Sequence, residues 1–456
     1  MGAGICQSRP NRVIQPYPRF INRSISIYSN ESSINSRDVN LPINTHDITE
    51  IFNGILLDIN NDKLKLFEFR TRLSENQIEL NKILQPTLLT HEFILLLRKT
   101  LTTILIKWNS SEVLDENEKL TFRNIAKLFS DISEHFNHHT SSIVYERFLA
   151  DASLIEIMKQ CLEDMASNGK HLIDNNDEYN LESFYYLLDT FRNYESQQSN
   201  DLTDKVISIV DLLTSVSNII RSKYYFETFL QLSFDTTDFN ILQRFLLNQC
   251  PVFLNAYKGK HSYEIHDTLC EQIFDQYIQI LEHFLPNIET WKTPVIIALT
   301  HIVDIMVNAS LITQTYILQQ PNIIDYGLTI LRNERLRTTI KSNLMTPETW
   351  LINSILTGLH NMIYDLKLLA ILKRKDVTST FMQITRIASY DRIQIHAYLI
   401  LAGILSEAEI QELNNAKEIT IVFLKYLSKA MKSEDKMFRE IPMIAILCGL
   451  KSMYSR

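Results

Sequence analysis

From about Asp47 onward, apolar residues recur with a helical period. Asp115 stands where an N-cap belongs, and Glu118 three residues later completes a capping box. Ile125, Leu128, Phe129, Ile132 and Phe136 then fall on one helix face. Asp201 precedes a similar stripe of Leu202, Val206, Ile209, Val210 and Leu213. Thr293-Pro294 predicts a cap followed by proline at the first helical position. Behind it come Val295, Leu299, Ile302, Val303 and Met306. Thr346-Pro347-Glu348 opens another helix in the same way. Asp391 opens the next, with Ile393, Ala397, Ile400, Leu401 and Ile404, and Ser406 with Glu409 forms one more S-x-x-E start.

These starts predict helices joined by short polar turns. Thr346 and Asp391 are 45 residues apart, within the roughly 40–47 residues of a HEAT or armadillo unit. Other intervals are less regular. Between Ile395 and Leu405 apolar residues leave no clean polar face, as expected of a helix covered by neighbours on more than one side. No segment sustains two-residue alternation. Asn53-Gly54 and Asn168-Gly169 do not sit between alternating apolar runs, and Asn168-Gly169 reads as a helix C-terminus. The expected fold is all-α: an armadillo/HEAT-like right-handed superhelix of stacked helix pairs over residues 47–456. Ile400 and Leu401 are expected in its core.

Residues 1–46 are different. They hold Pro10, Pro16, Pro18 and Pro42 among Ser, Asn and Arg, with no helical period, and read as a disordered, flexible arm.

Composition supports the helical reading. The chain has 9 Gly and 11 Pro in 456 residues, where ordinary usage would be about 7% and about 5%. Hairpin turns and phosphate loops need glycine at positive φ, so a sheet-rich fold is disfavoured. The net charge of −8 and the absence of a long basic tract in the body disfavour nucleic acid as a partner. The five cysteines, Cys6, Cys161, Cys250, Cys270 and Cys448, lack CxxC spacing and read as reduced thiols of a cytoplasmic protein. Asn109-Ser110-Ser111 and Asn308-Ala309-Ser310 are then chance sequons. The first residues lack the apolar stretch of a secretory signal. The run Pro294 to Val307, broken by His301 and Asp304, comes nearest to a membrane span and is too short.

The stretch Asp376 to Leu413, DVTSTFMQITRIASYDRIQIHAYLILAGILSEAEIQEL, resembles armadillo-like helical regions, in particular those preceding a TIR domain in some invertebrate multidomain proteins. The resemblance is strongest over the last third of the chain and weak before residue 200. It implies a helical interaction region. No strand–helix alternation follows the run Ile441 to Leu450, so a TIR domain's NAD cleavage or self-assembly is not carried over to this chain.

The sharpest motif is Met1-Gly2-Ala3-Gly4-Ile5-Cys6. Loss of Met1 exposes Gly2 for myristoylation, with Cys6 where Ser or Thr is usual. One acyl chain holds a protein only marginally. Cys6 can accept palmitate as a second signal. Arg9, Arg12, Arg19 and Arg23 precede the first acidic residue, Glu31, and favour an anionic leaflet.

The other motifs are weaker. His135, His138 and His139 form H-x-x-H-H, but no carboxylate or thiol completes a metal site, and histidines at a helix C-terminus suit its dipole. His91-Glu92 lacks a zincin's second histidine, and Lys258-Gly259-Lys260-His261 lacks the rest of a phosphate loop. Phe184-Tyr185-Tyr186 and Tyr224-Tyr225-Phe226 read as core. The expectation is a scaffold or adaptor rather than an enzyme, without cofactor or metal, that binds other proteins. Its expected place is the cytoplasm, with a lipid tether to the inner face of a membrane. The alternative is a sensor holding a nucleotide or small ligand between repeats, which would need a basic pocket.

Overall fold

The computed structural model describes residues 91–135, 152–172, 178–195, 206–256 and 260–406 apart from single positions, and scattered positions up to 428. Gly2, Cys6, Arg9, Arg12, Arg19, Arg23, His138 and His139 lie outside them. Among the described residues the secondary structure is helical, without a strand. The described residues divide into two compact units, one holding those from 91 to 231 with those from 239 to 265, the other 232–238 with those from 266 onward.

In the first unit, α1 (His91–Asn109), α2 (Glu116–His135), α3 (Ala152–Asn168), α4 (Glu178–Glu195) and α5 (Val206–Arg221) alternate between two layers. α1 packs on α3, α2 on α4, and α3 on α5. α6 (Lys223–Leu230) follows. α7 comprises Ile241–Gln243, a π-helical turn Arg244–Gln249 and Cys250–Ala256. The wide turn has a covalent cause: Pro251 has no N–H to give to Leu247, and its ring crowds that carbonyl.

Helix ends follow the sequence closely. Asp115 Oδ1 accepts from the Glu118 and Asn117 amides at 2.8 and 2.7 Å, and Glu118 returns a carboxylate to the Asp115 amide at 3.1 Å. Gly169 ends α3 at φ 72°, its amide donating to the Met165 carbonyl at 3.1 Å. A left-handed residue there favours glycine, and a Cβ would lie 2.4 Å from the Tyr224 ring.

An aromatic core fills the unit. Trp108 lies 6.0 Å from Phe122, 5.7 Å from Phe184 and 4.0 Å from the His171 ring, and Phe184 meets Phe245 edge-on. Phe184 and Tyr225 are buried as expected, while Tyr185 and Tyr186 are half-buried.

The second unit holds most of α8 (Lys260–Phe284), a 3-10 turn Leu285–Thr290, α9 (Thr293–Asn308), α10 (Leu311–Gln319), α11 (Ile323–Arg332) and α12 (Glu334–Thr339). α13 (Pro347–Met362), α14 (Leu366–Arg374), α15 (Thr378–Ile387) and α16 (Asp391–Ile404) follow. α9 packs on α13, and α13 and α15 both pack on α16.

Thr346 caps α13 as expected, accepting from the Thr349 amide. Ser406 and Glu409 form their reciprocal pair. One start differs by one residue: Lys292, not Thr293, is the N-cap of α9, with extended backbone and no side-chain bond. Asp391 opens α16 as expected, after an N-cap Tyr390 that likewise makes no side-chain bond. Ile393, Ala397, Ile400, Leu401 and Ile404 are all buried, and so are Ile395, Tyr398 and Leu399. α16 is thus covered on several sides, as its unbroken apolar run predicted.

Side-chain bridges between helices recur at similar sequence separations. In the second unit, Asp267 accepts from the Ser310 amide at a separation of 43, and Tyr326 donates to Glu282 at 44. Asn361 donates to Gln314 at 47, Arg332 to Thr380 at 48, and Ser354 to Asp304 at 50. In the first unit the spacing is longer: Ser130 donates to Asp189, and Arg123 to Glu182, both at 59. Contacts of His396 fall outside the series, at 36 and 39.

Candidate functional site

The second unit has an apolar cleft among α8, α9, α10, α11 and α13. It encloses about 640 Å³, open mouth included, between side chains such as Val303, Met306, Ile317, Leu318 and Ile355. Two scarce glycines, Gly327 and Gly358, stand on its walls in mid-helix. A Cβ at Gly358 would meet Val307 at 3.3 Å, and one at Gly327 would meet Ile355 at 3.4 Å. Helix-interior glycine costs about 1 kcal/mol relative to alanine; here it lets α9, α11 and α13 approach closely.

The polar groups on the cleft are already engaged. Gln314 Nε2 donates to the carbonyls of Val307 and Ala309, both at 2.7 Å, satisfying acceptors left over at the end of α9. Its Oε1 accepts from Asn361 at 2.7 Å. The Tyr326 hydroxyl donates to Glu282 at 2.9 Å. No lysine, arginine or histidine is among the lining residues. The cleft therefore suits an apolar group, not a phosphate.

α10 forms one wall and is apolar on both sides. Gln314, Ile317 and Leu318 face the cleft. On the other side Leu311 is 46% exposed, Ile312 83% and Tyr316 54%. An all-round apolar helix in a folded protein is ordinarily covered all round. This outer face of α10 is uncovered.

Histidines are the other chemically notable groups. His360 Nδ1 and His396 Nδ1 lie 3.2 Å apart at the α13–α16 contact. The Thr357 hydroxyl donates to the Asn353 carbonyl at 2.8 Å, so at its 3.5 Å contact with His396 Nε2 it can only accept. With Thr357 as acceptor, the consistent tautomers put the His396 proton on Nε2 and let His360 donate from Nδ1. Burial drives His360 down to about 4 and His301 down to about 3. His396 falls well below its usual value through burial, then through the neighbouring His360 and Arg392. These are neutral core histidines. His301 meets Trp350 edge-on at 5.5 Å. Asp304, also in the apolar run, accepts from Ser354 at 2.6 Å.

The thiols are equally inert. Cys161, Cys250 and Cys270 are free and buried, and burial pushes Cys161 up to about 12 and the other two up as well. Little thiolate exists there at neutral pH. Among the described residues no group of three or more His, Cys, Asp or Glu could hold a metal. His135 ends α2, and His91 and Glu92 open α1. Among the described residues no helix is long and apolar enough to cross a membrane.

No protein-family model and no curated protein matches the chain. Sequence reasoning missed the cleft, the outer face of α10 and the histidine pair. α10 gave the only local signal: Leu311, Ile312, Tyr316, Ile317 and Leu318 are apolar without a period.

Proposed function

We propose that the chain is a non-enzymatic scaffold whose helices form an armadillo-like right-handed superhelix that binds other proteins. The uncovered apolar face of α10 beside the apolar cleft carries this reading. A cleft with every polar group engaged, next to exposed Ile312 and Tyr316, suits an apolar anchor of a partner protein. The bridges at separations of 43–50 support a stack of units near 45 residues, the spacing seen between Thr346 and Asp391. The resemblance of residues 376–413 to regions preceding a TIR domain is in keeping with a scaffold in signalling. The sensor alternative fares worse for a nucleotide, because the cleft offers no cation.

The arm adds location in this reading. Gly2 carries myristate, Cys6 carries palmitate, and Arg9, Arg12, Arg19 and Arg23 meet the inner leaflet of a membrane. Gly2→Ala should move the protein to the soluble fraction, and Cys6→Ser should leave weak, salt-sensitive binding. A wild-type chain already soluble ends the anchor reading and leaves the scaffold reading intact.

The scaffold reading is tested by affinity capture from the protein's own cells. A defined partner should be retained by wild type and by Val113→Asp, which alters an isolated residue that is 94% exposed. It should be lost with Ile312→Asp/Tyr316→Asp. Equal capture by all three proteins would refute the role of α10.

A further inference from the structure

The second unit gathers cations that lie far apart in sequence. α11 and α12 carry Arg332, Arg335 and Arg337, and Lys341 follows in the next turn; α15 carries Arg386. The two rows are fixed side by side. Arg332 donates to Thr380 at 3.3 Å and Arg337 donates to Gln383. The Ser389 amide donates to the Ile340 carbonyl at 2.8 Å, and its hydroxyl to the Lys341 carbonyl. Arg386 stands one turn beyond Gln383, and both it and Lys341 are exposed.

Residues 332–341 and 380–392 together hold six cations against two carboxylates, Glu334 and Asp391, in a chain of net charge −8. The bonds of Arg335 go to the neutral carbonyls of Ile288 and Trp291, at 3.2 and 3.1 Å. Arg337 likewise bonds a neutral amide. None of the ion pairs among the described residues involves Arg335, Arg337, Lys341 or Arg386. The acids nearest to them are Glu334 of the same segment and Glu289, which accepts from Asn333 at 2.6 Å; neither is ion-paired to these four cations.

We propose that this arginine-rich end lies against an anionic lipid leaflet. The inference rests on the reading of the arm as a membrane anchor and adds a second contact made by the folded body. An acidic body tethered to an anionic surface is repelled on most sides and turns its cationic end inward. Guanidinium forks match phosphate oxygens in two-pronged hydrogen bonds. Each acyl or electrostatic signal alone is marginal, so a body contact strengthens the tether without a further lipid.

The test uses the full chain made in bacteria, where Gly2 stays unacylated, and sedimentation with phosphatidylcholine vesicles with or without phosphatidylserine. Wild type should sediment only with the anionic vesicles, and less as salt rises. Arg337→Gln/Lys341→Gln/Arg386→Gln should lower the partition coefficient by roughly fivefold per lost cation, about a hundredfold in all at low salt. The same three changes should act on a chain whose Arg9, Arg12, Arg19 and Arg23 are all glutamine. Lys341 and Arg386 are exposed and Arg337 is half-buried, so the melting temperature serves as the folding control. A triple variant that sediments like wild type overturns the inference. An arm variant that sediments like wild type instead overturns the electrostatic role of the arm. If polyglutamate binds the patch while anionic vesicles do not, the patch is a site for acidic protein and the inference falls.

Discussion

Acid should destabilise the second unit through its buried histidines. In an unfolded chain an imidazole titrates near 6.5, whereas burial holds His360 near 4 and His301 near 3. Between pH 6.5 and those values the unfolded chain takes up protons that the folded chain refuses. Stability is therefore complete above pH 6.5 and falls as the pH drops. One pH unit is worth 1.36 kcal/mol per group. At pH 5, about 1.5 units below 6.5, each of the two histidines removes about 2 kcal/mol, about 4 kcal/mol together. That is a large part of an ordinary domain stability of about 5–15 kcal/mol. His396 acts in the same direction, since burial, then the neighbouring His360 and Arg392, hold it well below its usual value. Urea unfolding followed by circular dichroism, at steps from pH 7.5 to 5.0, measures the slope. His301→Asn should reduce the loss between those limits by about 2 kcal/mol, whatever it does to stability at pH 7.5. A wild-type midpoint that does not move with pH, or a variant that tracks wild type, would refute the argument.

Three further outcomes follow from packing and charge. Ile400→Ala and Leu401→Ala should each cost roughly 2–5 kcal/mol in urea unfolding, because both side chains are buried; near-wild-type midpoints for both would place α16 at the surface. Gly169→Ala should lower the melting temperature, since φ is 72° and the new Cβ meets the Tyr224 ring at 2.4 Å, and Gly169→Ala/Tyr224→Leu should recover part of that loss. Asp189→Ala strips the acceptor of Ser130 and the 2.5 Å partner of buried Arg192. It should cost about 3–5 kcal/mol, and a midpoint unchanged by this substitution would mean that the Arg192 charge finds solvent.

Local signals gave helix starts and stops well. The caps at Asp115, Thr346 and Ser406, and the left-handed Gly169, each depend on residues within four positions of one another. The cap of α9 slipped by one residue, to Lys292, because extended backbone alone makes it. A helical period identifies a buried face but not the helix that covers it. The 45-residue interval from Thr346 to Asp391 was a single hint of partners 43–50 positions away. His360 with His396, Gln314 with Asn361, and the row of Arg337 beside that of Arg386 depend on such distant pairings. Each was therefore invisible along the chain. The cleft was hidden for the same reason, since five helices contribute to its walls.

The claim that α10 is a partner-binding surface is tested most directly by contact. A photo-crosslinking amino acid placed at Ile312 in the full chain, and at Val113 as the control, reports which side chains a partner touches in the cell. The account predicts a discrete adduct from position 312 that disappears with Tyr316→Asp, and none from position 113. The absence of any adduct at 312, or the same adducts from both positions, would contradict it.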